Sequence, residues 1–288
     1  MPHEVRRFRD GDLTLAYEVH GTGSRTVVYL HGLLLDAAVN RRLAGDLANR
    51  GNRVVLLDLP GHGASDRPRR AAAHRMDAYA RRVLHLLDEL QVDRAVVGGM
   101  SLGADVALQL ALQAPERVAG MVVEMPVLEN ATPFAALVFT PILSLAYYAK
   151  PLLRTTASWA RRVPRHRLGP IDQFFGPLVL EPEEIMSVIH GVLVGPVAPT
   201  ADQRRAMTMP TLVIGHGADR LHPLGDALML ARQLPNARLV QARSLFELRL
   251  APARLTGTIA DFLDDVWDAE ADRRAGPGSA GPGSAVGI

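Results

Sequence analysis

The sequence contains no cysteine, and that absence excludes several kinds of chemistry. The chain can form no disulfide, can use no thiolate nucleophile and can hold no zinc through cysteine. Lack of cysteine fits a reducing compartment, and the N-terminal residues MPHEVRRFRDGD lack the apolar segment of a secretory signal. We therefore expect a cytoplasmic protein.

Lysine is almost absent as well, since Lys150 is the only one and arginine carries nearly all of the positive charge. The formal net charge is only +2, and no basic motif is present, which argues against a nucleic-acid partner. The sequence also lacks a phosphate-binding G-x-x-x-x-G-K-[ST] loop, a dinucleotide-binding G-x-G-x-x-G after a first strand, and an H-E-x-x-H pair. We predict no cofactor and no metal.

Short apolar runs alternate with helical patterns through most of the chain, whose hydrophobic content of 48% is enough for a sizeable core. Repeated strand-then-helix units predict an α/β fold, with a mostly parallel twisted sheet and helices on both faces. The alternation stops between residues 129 and 200 and then resumes. We predict a core of residues 1–128 and 201–268, a helical lid inserted at 129–200, and a disordered Gly/Pro/Ser/Ala-rich tail at 269–288.

The predicted lid contains a strongly apolar stretch, FAALVFTPILSLAYYA, at residues 134–149. The stretch is shorter than the roughly 20 residues of a spanning helix, and Pro141 interrupts it. A buried or pocket-lining lid helix is the favoured interpretation, and no integral membrane span is predicted. Peripheral contact with a membrane is the alternative, because five arginines follow between residues 154 and 167.

The sequence GMSLG at residues 99–103 places Ser101 between a buried strand pattern and a helix pattern. This is the G-x-S-x-G nucleophile elbow, in which the serine occupies a sharp turn that leaves no room for side chains two residues away. A helix N-cap is the alternative role for such a serine.

Three further motifs follow strand patterns in the same order as in a known family: YLHGLL at 29–34, LDLPGHGASDRP at 57–68 and IGHGADRLHP at 214–223. Together with GMSLG they make the chain resemble the α/β-hydrolase superfamily, in its cap-bearing esterase, lipase and peroxidase-like branch. The resemblance covers roughly residues 10 to 267. It implies a hydrolase whose active site lies at the carboxyl edge of the sheet.

The resemblance also implies roles for individual residues. Ser101 matches the nucleophile, Asp219 matches the acid, and the backbone N–H groups of Leu33 and Leu102 match the oxyanion hole. The histidines of the first two motifs, His31 and His62, match positions that brace loops in this family.

The general base is missing from its usual place. The family histidine normally follows the last strand, a position that falls near Leu245 here, and no histidine occurs after His222. A relocated base would account for this, with His222 oriented by Asp219 or by Glu124; a plain loop histidine beside Pro223 is the alternative. His190 of the lid is a further candidate.

Chemistry that needs no histidine at this position is also compatible with the sequence, since the fold hosts lyase, isomerase and cyclase steps. A third explanation is lost catalysis, with the pocket kept for ligand or protein binding. We predict a small-molecule hydrolase of an apolar ester, thioester or lactone, with a lipophilic substrate and an incomplete or atypical triad. A non-hydrolytic or inactive ligand-binding member of the family is the alternative.

Overall fold

A computed structural model describes residues 4–160, 162, 180–217, 219–245 and 247–275. Eight strands form one sheet: β1 (Val5–Asp10), β2 (Leu13–His20), β3 (Arg25–Leu30), β4 (Asn52–Leu57), β5 (Ala95–Met100), β6 (Val118–Glu124), β7 (Thr211–His216) and β8 (Ala237–Ala242). Their order is β1-β2-β4-β3-β5-β6-β7-β8. The first two strands are antiparallel to their neighbours and the remaining pairs are parallel.

Ten α-helices flank the sheet in the described part of the chain: α1 (Arg41–Ala48), α2 (Met76–Glu89), α3 (Leu102–Gln113), α4 (Thr132–Tyr148), α5 (Lys150–Ala160), α6 (Pro182–Val194), α7 (Ala201–Arg205), α8 (Leu224–Gln233), α9 (Glu247–Leu250) and α10 (Ala253–Ala275). Short 3-10 helices lie at Ala37–Asn40, Ala71–His74 and Pro115–Arg117. This architecture confirms the predicted α/β-hydrolase fold class.

Alternating side chains of the strands build two cores, one on each face of the sheet. In β3, Val28 and Leu30 join the core that packs under α2 and α3, whereas Val27 and Tyr29 join the core under α1 and α10. This alternation follows from the two-residue period of a strand. Apolar residues of α2 at helical spacing, such as Tyr79, Val83 and Leu87, are buried in the first core.

Parallel strands put their carboxyl ends at the same edge of the sheet, and three adjacent strands matter for function. β5 pairs with β6, β6 pairs with β7, and the register sets Met100 opposite Glu124 and Glu124 opposite Ile214. The segments that follow β5 and β7 therefore emerge two strand spacings apart, about 10 Å.

The helices between β6 and β7 cover that edge. α4 contacts α6, and α6 lies against the 3-10 helix Ala71–His74. The approach is close, because a Cβ on Gly191 would lie 2.2 Å from the carbonyl oxygen of Ala71. Within the described residues, no single helix is long and apolar enough to cross a membrane; α4 and α5 pass that test only together, by length and composition, and they are bent by 95°.

Two local expectations were wrong. β1 was not predicted, because four of the six residues in VRRFRD are charged. Only Phe8 and Asp10 of this strand are buried. Asp10 forms ion pairs with Arg82 and His85. The tail was predicted to be disordered from residue 269, but α10 continues to Ala275. Glu270 stabilises this end of the helix by pairing with Arg94 and Arg273; residues 276–288 lie outside the described residues.

Candidate active site

Ser101 occupies a sharp turn between β5 and α3, with φ of 51° and ψ of −116°. This conformation is costly for a residue that has a Cβ, so the surrounding structure must enforce it. Two glycines make the turn fit: a Cβ on Gly99 would lie 2.7 Å from the carbonyl oxygen of Leu30, and one on Gly103 would lie 2.6 Å from it. The spacing of the G-x-S-x-G motif therefore follows from the close approach of α3 to β3.

We expect Gly103→Ala to destabilise the protein by about 1–3 kcal/mol, the usual cost of forcing extra volume into a packed site. Because the clash is with backbone, α3 must shift and carry Ser101 with it, so esterase activity should also fall. Urea unfolding and an aryl-ester assay measure the two effects. Gly257→Ala in α10 is the matched control, since nothing lies within 4 Å of its Cβ; equal stability of the two variants would contradict the packing argument.

Ser101 lies at one end of a chain of hydrogen bonds that includes His222 and Asp219. The Ser101 hydroxyl donates to Nε2 of His222 over 2.8 Å, and Nδ1 of His222 donates to Oδ2 of Asp219 over 2.5 Å. The side chains of His222 and Asp219 are about one-tenth exposed. These three side chains therefore have the geometry of nucleophile, base and orienting acid.

The charge on Asp219 fixes the tautomer of His222. Burial opposes ionisation, but the hydrogen bond from His222, together with the backbone amides of Leu221 and His222, outweighs it and lowers the pKa of the Asp219 carboxyl. An ionised carboxylate can only accept, so Nδ1 carries the proton and the lone pair of Nε2 faces Ser101.

The loop after β7 brings acid and base together within four residues. Asp219 Oδ1 accepts from the amide of Leu221 over 2.8 Å, which folds the loop back on itself. Pro223 then precedes the first residue of α8 with an extended ψ of 137°. The ring of His222 lies in the gap between this loop and the end of β5.

The oxyanion hole that the resemblance implies, formed by the backbone amides of Leu33 and Leu102, stays a prediction. Leu102 is the first residue of α3, so its N–H has no carbonyl acceptor within the helix. Both residues line the same cavity as Ser101. In the loop after β3, Leu34 has a φ of +60°, in the left-handed region.

Glu124, the alternative acid, does not contact His222, and that suggestion was wrong. Its buried carboxylate accepts from Tyr29 over 3.1 Å and from Arg249 over 2.9 Å, and His216 lies 3.7 Å away. Burial alone would raise the pKa of Glu124, but Arg249 and His216 lower it to about 2. The carboxylate is thus held by a buried ion-pair cluster behind the elbow.

The three other histidines that the sequence singled out, His31, His62 and His190, make their contacts elsewhere. His31 donates from Nδ1 to the carbonyl of Gly32 and accepts at Nε2 from the amide of Leu59, so both ring nitrogens brace loops. His62 donates to the carbonyl of Pro60. His190 was a candidate base, but it lines a different, open groove between α4 and α6.

A cavity of about 280 Å³ opens beside Ser101 and His222. Its wall is mostly apolar, with Leu33, Leu35, Met76, Met100, Phe139 and Val192 among the residues that line it. None of the described residues around it is a lysine or an arginine. Asp105, which was not predicted as a site residue, is one of the few polar residues that line the cavity. The sequence marked it only as an acidic residue inside the apolar helical pattern ADVALQLALQ.

Comparison with known sequences supports the family. A family model described as the alpha/beta hydrolase fold matches residues 25–244. The chain is 30% identical over 246 residues to 2-hydroxy-6-oxononadienedioate/2-hydroxy-6-oxononatrienedioate hydrolase 2 of Pseudomonas putida, which covers 81% of this chain and 85% of that protein. A putative non-heme haloperoxidase of Mycobacterium phage D29 is 34% identical over 122 residues, but this match spans only 42% of each chain.

Solved structures share the fold at lower identity. The enol-lactonase from Burkholderia xenovorans LB400 has a TM-score of 0.73 at 20% identity, covering 90% of this chain and all of that one. A thermophilic esterase from Thermogutta terrifontis has a TM-score of 0.71 at 22% identity, covering 92% and 99%. With the family match over residues 25–244, these findings show that the chain belongs to the α/β-hydrolase fold family and is a hydrolytic enzyme.

Proposed function

We propose that the protein is a serine hydrolase of small, neutral esters, thioesters or lactones with an apolar acyl part. The observation that carries this proposal is the continuous chain of hydrogen bonds from Ser101 through His222 to Asp219. A serine hydroxyl is a weak nucleophile until a base accepts its proton. Among the residues that the structure describes, His222 is the histidine at hydrogen-bond distance from Ser101.

In the proposed mechanism, the Ser101 oxygen attacks the substrate carbonyl as its proton passes to Nε2 of His222. Asp219 stabilises the imidazolium that forms, and the amides of Leu33 and Leu102 donate to the oxyanion of the tetrahedral intermediate. Each such donor is worth about 3 kcal/mol to the transition state. The imidazolium then protonates the leaving group, and a water activated by the same histidine releases the acid from Ser101.

The lining of the cavity supports a neutral substrate. The name of the Pseudomonas putida relative describes a dioate, which carries two carboxylates. No lysine or arginine lines the described cavity wall here, and an unpaired carboxylate would be costly to bury in it. An apolar acyl group matches the wall better, as most small-molecule pockets are apolar with a few polar anchors.

A fluorophosphonate probe tests the proposal directly, because it labels only an activated serine. We expect the purified protein to be labelled and to cleave short-chain aryl esters, and Ser101→Ala to lose both properties. Ser144→Ala is the control, since Ser144 is an exposed serine whose hydroxyl donates to the carbonyl of Thr140 in α4. An unlabelled wild-type protein that cleaves no ester would favour non-hydrolytic chemistry or ligand binding instead.

A further inference from the structure

Asp105 stands in the wall of the substrate cavity one helical turn after Ser101. It is the fourth residue of α3, its side chain is fully buried, and it lines the same cavity as Ser101 and His222. Four residues of an α-helix advance by about 6 Å. A carboxyl group is thus built into an apolar cavity at a fixed distance from the nucleophile.

The hydrogen bonds of Asp105 leave one oxygen unused. Oδ1 accepts from the amide of Val127 over 3.2 Å, but Oδ2 has no hydrogen-bond partner among the described residues. Its neighbour Asp226 shows what a purely structural carboxylate looks like here, because it accepts from the amides of Leu128, Asn130 and Ala131. Buried polar atoms normally have partners, so an unpaired one beside a cavity points to a partner that arrives with the ligand.

The other polar side chains of the cavity wall are already engaged. Ser101 and His222 bond to each other, and the hydroxyl of Thr132 donates to the carbonyl of Leu128 over 3.0 Å. Burial and the charge of Asp226 raise the pKa of Asp105 well above its usual value, against the amide of Val127 and the charge of Arg204. A neutral carboxylic acid of this kind carries an O–H donor.

We infer that Asp105 is a specificity-determining residue, which donates a hydrogen bond to a carbonyl oxygen within the acyl chain of the substrate. The inference rests on the proposed function, since it assigns the acyl part to this cavity. An extended chain advances about 1.2 Å per bond, so the advance of about 6 Å over four helical residues sets the second carbonyl four or five bonds from the one that Ser101 attacks. The substrate class is therefore an oxo-acyl ester or lactone rather than a plain alkanoate.

A matched pair of aryl esters, hexanoate and 5-oxohexanoate, tests this specificity. We expect the wild-type enzyme to prefer the 5-oxo ester by about tenfold in kcat/KM, the worth of one good hydrogen bond. Asp105→Leu should abolish that preference. Asp105→Asn, whose amide can still donate a hydrogen bond, should keep part of the preference for the 5-oxo ester. This variant replaces Asp105→Leu in the test if the leucine variant does not fold. Ser144→Ala, at an exposed serine of α4 that does not line the cavity, is the control, and its ratio of kcat/KM between the two esters should equal that of the wild type.

Two outcomes would overturn the inference: no preference for the 5-oxo ester in the wild type, or the same preference in Asp105→Leu. Failure of the proposed function gives a different result, namely no fluorophosphonate labelling and no hydrolysis of either ester. Asp105 is then tested by binding in Ser101→Ala, where methyl 5-oxohexanoate should raise Tm more than methyl hexanoate. Loss of that difference on adding Asp105→Leu supports the inference, and its persistence contradicts it.

Discussion

The variant His222→Ala should hydrolyse short-chain aryl esters about 10⁴-fold to 10⁶-fold more slowly than the wild type. Removing one member of a serine–histidine–acid triad has effects of this size, and what remains comes from the oxyanion hole and from binding. The loss should appear in kcat, because the small side chain of alanine leaves the acyl cavity open. Fluorophosphonate labelling of Ser101 should slow in parallel.

His190→Ala is the matched control for that experiment, because it removes a histidine that lines the groove between α4 and α6 instead of the site. Its kcat should equal that of the wild type. The kcat of Asp219→Asn should lie between those of His222→Ala and His190→Ala. An asparagine amide is a weaker acceptor for Nδ1 than a carboxylate, so it holds His222 less well in the required tautomer. Unchanged labelling in His222→Ala would show that another group activates Ser101.

The second large effect concerns stability. Arg249→Met should destabilise the fold by about 3–5 kcal/mol, because it leaves the carboxylate of Glu124 buried without its cation. Both side chains are less than one-tenth exposed, and they lie 2.9 Å apart. For a domain of this size the loss corresponds to a Tm lower by about 10 °C, which differential scanning calorimetry measures.

An exposed ion pair is the control for this variant. Arg238 and Asp265 lie 2.6 Å apart, but both are more than half exposed. Arg238→Met should therefore cost less than about 1 kcal/mol. The double variant Glu124→Gln/Arg249→Met should have a Tm closer to that of the wild type than the single variant Arg249→Met has. A double variant with a lower Tm than Arg249→Met would contradict the ion-pair argument.

The pH dependence of these variants has a defined sign. In the wild type the pKa of Glu124 is lowered from 4.5 to about 2, so its contribution is present above pH 4.5 and is lost as the pH falls toward 2. In Arg249→Met, burial without the cation raises that pKa instead. The single variant should therefore lose more stability at pH 7 than at pH 5.

Much of this fold follows from local sequence patterns. The alternation of strands and helices gives the parallel sheet, and the steric demand at Gly99 and Gly103 accounts for the elbow around Ser101. β1 escaped prediction because its pattern of charges resembles a loop, although pairing with β2 places Phe8 in the core.

The site was harder to predict than the fold. His222 could be named from its spacing after Asp219, but whether its ring turns toward Ser101 depends on how β5, β6 and β7 align. The cluster of Glu124 and Arg249 joins residues 125 positions apart, so no local pattern contains it. Asp105 is similar, because its unpaired oxygen becomes evident only once the amide of Val127 has been placed.

The placement of Asp219 and His222 on one short loop has a consequence for how this protein can change. The proposed triad is complete by position 222. The later elements β8, α9 and α10 therefore contribute packing for the sheet but no member of the triad. Substitutions after β8 should thus leave the triad intact as long as Arg249 still meets Glu124 and the apolar side of α10 still packs against the sheet. In effect, residues 237–275 are free to diverge under selection for stability alone.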